Sequence, residues 1–107
     1  MSDTQTTTLI VEPDFAGHHL QSVSTVARLA CKAGPVVLLT SRGAIADPAF
    51  GAYVADDAAN GALRVVEEFD ERFPPTADQA RSVGQWCRDS CTDAPVGTVV
   101  LLSLIHI

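Results

Sequence analysis

Apolar positions along the chain fall into four short runs, separated by stretches with helical spacing or turn residues. The runs are Leu9-Ile10-Val11, Val36–Leu39, the Val65-Val66 pair within LRVVE, and Val99–Leu102. All but the third are continuous rather than alternating, the pattern of parallel strands covered on both faces. Strands are therefore predicted at Thr8–Glu12, Val36–Thr40, Leu63–Glu67 and Thr98–Leu102, with the less apolar third strand nearer a sheet edge. Leu20, Val23, Val26/Ala27 and Ala30 recur at helical spacing and predict an amphipathic helix over about His18–Ala33. Gly34 supplies its stop and Pro35 prevents continuation.

The remaining connections follow from turn and cap chemistry. Ser41-Arg42-Gly43 reads as a loop. Asp47-Pro48 reads as a cap followed by a first-turn proline, opening a short helix that runs to about Ala58. Asn60-Gly61 is a turn signal. Phe73-Pro74-Pro75 breaks the chain. Thr76 and Gln79 then have capping-box spacing, ahead of a helix whose buried face is predicted to be Ala80, Val83, Cys87 and Cys91. Asp93–Gly97 reads as a loop and residues 1–7 as a flexible tail.

The order β-α-β-α-β-α-β with short connections predicts an α/β fold with a Rossmann-like parallel sheet and right-handed crossovers. The expected strand order is 3-2-1-4, the first half of a doubly wound sheet.

Composition narrows the classes. At 107 residues the chain holds one domain at most, and 47% hydrophobic residues suffice for a packed core. The net charge of −6, with no basic stripe, argues against a nucleic-acid partner. No apolar run approaches the roughly 18 residues of a membrane span. The polar N-terminus MSDTQTTT lacks the form of a signal peptide, so a cytoplasmic location is expected. Cys31, Cys87 and Cys91 are too few for a disulfide framework. With a third ligand, Cys87 and Cys91 would suit a metal, but small buried apolar residues are the better reading, and no metal is expected.

Two constellations carry candidate chemistry. In Asp14–His19 (DFAGHH), Gly17 permits close backbone approach, and the following helix N-terminus offers free N–H groups to an anion. His18 is placed to donate to a phosphate or sugar oxygen, or to act as a base. The bland reading makes Gly17 a turn and His18 and His19 solvated caps. Glu12 and Asp14, two carboxylates at the end of the first strand, suit a divalent cation as in receiver domains, although Pro13 between them weakens this. No GxGxxG, GxxxxGK[ST] or GxSxG occurs, which disfavours a nicotinamide dinucleotide and excludes the P-loop class and the hydrolase nucleophile elbow.

Val11-Glu12-Pro13-Asp14-Phe15-Ala16-Gly17-His18, the helix after it, and Pro35–Ser41 (PVVLLTS) resemble the N-terminus of GT-B fold, nucleotide-sugar-dependent glycosyltransferases of the retaining type. The likeness covers Leu9–Ser41 and is topological beyond. It implies two Rossmann-like domains facing a cleft, with the N-terminal one binding acceptor and the C-terminal one most of the donor. Carried onto this sequence, it makes Gly17, His18, Ser41 and Arg42 substrate-binding. It also implies a nucleotide sugar as co-substrate with no further cofactor. Ala16 stands where many relatives have a second glycine.

The terminal Leu102–Ile107 (LSLIHI) resembles a translated sequencing-adapter read-through. The expectation is a truncated chain: residues 8–102 form a partial N-terminal domain, 103–107 an artefactual tail, and His106 is no site candidate. Such a fragment is expected to be inactive alone and to lack its C-terminal domain. The competing expectation is a small flavodoxin-like or receiver-like nucleotide-binding or signalling module without catalysis.

Overall fold

The computed structural model describes residues 6–15, 19–61, 63–70, 74–89 and 96–101. Strands β1 (Thr7–Val11), β2 (Val36–Ser41), β3 (Arg64–Phe69) and β4 (Val96–Leu101) form one parallel sheet in the order β3-β2-β1-β4. Ile10 lies opposite Leu38 on one side and Val100 on the other, and Leu38 lies opposite Val65. This is the strand order of the first half of a doubly wound, Rossmann-like sheet. It is not the flavodoxin-like or receiver order, in which β1 lies between β2 and β3; here β3 pairs with β2.

The continuous apolar runs are explained by two covered faces. Ile10, Val36 and Leu38 pack with Leu20, Val23 and Ala27 of α1 (His19–Ala30) and with Val54. Leu9, Val11, Val37 and Leu39 point the other way, toward Val83 and Trp86 of α5 (Thr76–Asp89). β2 is buried along its whole length, as a strand with two neighbours and two covered faces should be.

Between β2 and β3 the structure departs from the predicted loop and single helix. Three short helices fill this segment: α2 (Arg42–Ala46), α3 (Pro48–Tyr53) and α4 (Ala55–Ala59). The predicted loop at Ser41-Arg42-Gly43 is instead the last residue of β2 and the first turn of α2. Ser41 is the cap, its side chain accepting from the Ala44 N–H. Asp47 caps α3 as expected, accepting from the Ala49 N–H at 2.9 Å, with Pro48 in the first turn. Gly61 completes the predicted turn with φ near +80°, a conformation that glycine adopts without a Cβ penalty.

The other corrections concern α5 and β4. The Pro75 carbonyl accepts from the Asp78 and Gln79 N–H groups, so the cap position is Pro75 and Thr76 is already helical. The Gln79 side chain donates instead to the Pro74 carbonyl. The face turned to the sheet carries Gln79, Val83 and Trp86, while Ala80 and Cys87 are exposed. Cys87 is therefore not the buried residue expected, and Cys91 lies outside the described residues. β4 is an edge strand among the described residues, with Gly97, Thr98 and Val99 exposed. Among those residues no helix is long and apolar enough to cross a membrane.

Candidate functional site

The site begins where β1 runs out. After Val11 the chain continues in register for one residue, with the Glu12 N–H donating to the Leu39 carbonyl at 3.0 Å. Thr40 and Ser41 then hold the departing chain. The Thr40 hydroxyl donates to the Glu12 carbonyl at 2.7 Å and the Ser41 hydroxyl to the Pro13 carbonyl at 2.6 Å. Both hydroxyls are fully buried. The β2–β3 register shifts between Thr40, opposite Glu67, and Ser41, opposite Phe69, and the Ser41 side chain serves Pro13 and α2 together.

Glu12 is fully buried, and a buried carboxylate is tolerated only when its oxygens are engaged. Its Oε1 lies 2.9 Å from His19 Nδ1 and its Oε2 accepts from the Asp14 N–H at 3.1 Å. The other ring nitrogen of His19 lies 3.3 Å from Asp14 Oδ2. One imidazole is thus flanked by two carboxylates. A ring nitrogen that carries its proton can donate to the carboxylate facing it. The group sits at the first turn of α1, where negative charge is favoured by the helix N-terminus.

This arrangement connects residues that the sequence kept apart. From sequence, Glu12 and Asp14 suit a divalent cation only weakly, with Pro13 between them and no metal expected, and the candidate histidine of that loop is His18. Instead His19 takes both carboxylates, and no group of three or more side chains suited to a metal occurs among the described residues. The available signal was spacing: Glu12 at the end of a strand and His19 at the start of the helix that folds back over it.

The expected site residues divide. Gly17 and His18 lie outside the described residues. The residues flanking them, Phe15 and His19, are at the carboxyl edge: the Phe15 ring lies over Gly43 of α2, and His19 binds Glu12. Ser41 is at the same edge, but its side chain is spent on Pro13 and Ala44. Arg42 is the exposed member. Its Nε lies 3.1 Å from Glu67 Oε2 and its Nη2 3.8 Å from Asp70 Oδ1. Asp70 also lines a polar hollow of about 270 Å3 bounded by Glu68, Pro74, Asp78 and Arg81.

No family model, curated protein or solved structure matches this chain. The carboxyl edge combines a guanidinium, a histidine and carboxylates with a fixed backbone, a set that can hydrogen-bond hydroxyls and oxyanions.

Proposed function

We propose that this chain is the acceptor-side part of a glycosyltransferase that moves a sugar from a nucleotide-sugar donor to an acceptor, with Gly17, His18 and Arg42 contacting the ligand. One observation carries the reading. The strand order reverses at β1, with β2 on one side and β4 on the other, while α1 and α5 cover opposite faces. In open α/β sheets ligands bind in the crevice at the carboxyl ends of the strands at such a reversal. The segment EPDFAGH, which carries the resemblance to GT-B enzymes, follows β1 at that point.

In this reading Ser41 serves by holding the β1 and β2 ends together rather than by touching substrate. Arg42 projects from the start of α2 and offers a planar pair of donors to hydroxyl or phosphate oxygens. His19, tied to Glu12 and Asp14, keeps the start of α1 in place beside them. The resemblance assigns most donor contacts to a second domain, so the 107 residues alone are expected to give no turnover.

The test is transfer by a gene product that carries this sequence in its complete reading frame. It is incubated with UDP-, GDP- and ADP-sugars, each with a panel of acceptors, and nucleoside diphosphate release is followed. Acceptor-dependent release with one donor supports the proposal. Absence of release with every donor, from a folded protein, contradicts it.

A further inference from the structure

We draw no further inference here: the strongest candidate, the apolar cavity of about 210 Å3 between the first turns of α5 and the end of β4, carries nothing, because the buried Gln79 amide oxygen beside it has no surface open to that cavity and nothing in the structure shows what would fill it.

Discussion

Glu12 sets the terms at the residue scale. Its carboxylate has no exposed surface, and its neighbours supply hydrogen bonds to both oxygens. Removing one partner of a buried pair costs more than the pair contributes, because the remaining charge is left uncompensated. His19→Ala should therefore destabilise the fold by ~2–4 kcal/mol in chemical denaturation. Glu12→Gln, which keeps the shape without the charge, should cost less. Equal costs for the two variants would show that the charge plays no part. Ser41→Ala removes a helix cap and a donor to the Pro13 carbonyl in one step, for an expected loss of ~1–3 kcal/mol. Arg42→Ala is the contrasting case. An exposed ion pair contributes little, so the change in stability should stay within about 0.5 kcal/mol while ligand affinity falls. A melting-temperature drop as large as that of Ser41→Ala would make Arg42 a structural residue.

Elements bring these residues together, and they differ in how much of them could be read from sequence. β1, β2 and α1 were legible because two covered faces leave an unbroken apolar run and one covered face leaves helical spacing. Leu9–Val11 and Leu20, Val23 and Ala27 are buried as that logic requires. α2 was not legible. Ser41 looked like a loop residue because its polarity pointed to solvent, whereas its hydroxyl is spent internally. On α5, Ala80 and Cys87 looked like core residues by hydropathy alone. Val83 packs against the sheet as expected, and the large side chain of Trp86, rather than Ala80 or Cys87, completes the contact face. Nor does a hydropathy pattern anticipate Asp57. This buried carboxylate of α4 accepts from Ser24 Oγ at 3.0 Å and Arg28 Nε at 3.2 Å, fastening α4 to α1. Asp57→Ala should loosen that contact without unfolding the sheet. The expected readout is faster amide exchange in α3 and α4 with β1 and β2 still protected. Uniform loss of protection would show that the three short helices and the sheet form a single cooperative unit.

At the scale of the whole molecule, the two edge strands among the described residues, β3 and β4, differ. β3 carries Arg64, Glu67 and Glu68, with the Arg64 guanidinium 5.6 Å from the centre of the Trp86 ring. Charges of this kind discourage pairing with another strand. β4 carries no charged residue, and Val99 is exposed on it. Stability should therefore grade from the middle outward. Native-state exchange is expected to be slowest in β1 and β2 and faster in β3 and β4. The carboxyl edge of β1 and β2 is then expected to rest on the most protected part of the fold, the rigid base that the proposed ligand contacts require.

That edge as a sugar-binding surface is the central claim, and amide shifts report it directly. The 107-residue chain, labelled with nitrogen-15, is titrated separately with UDP-glucose, UDP and methyl α-glucoside at millimolar concentration. The account predicts saturable shifts with at least one sugar-bearing probe, centred on Asp14, His19, Arg42 and Gly43 and absent from α5. Saturable shifts confined to α5 and β4, or no shift with any of the three probes from a folded chain, would contradict it.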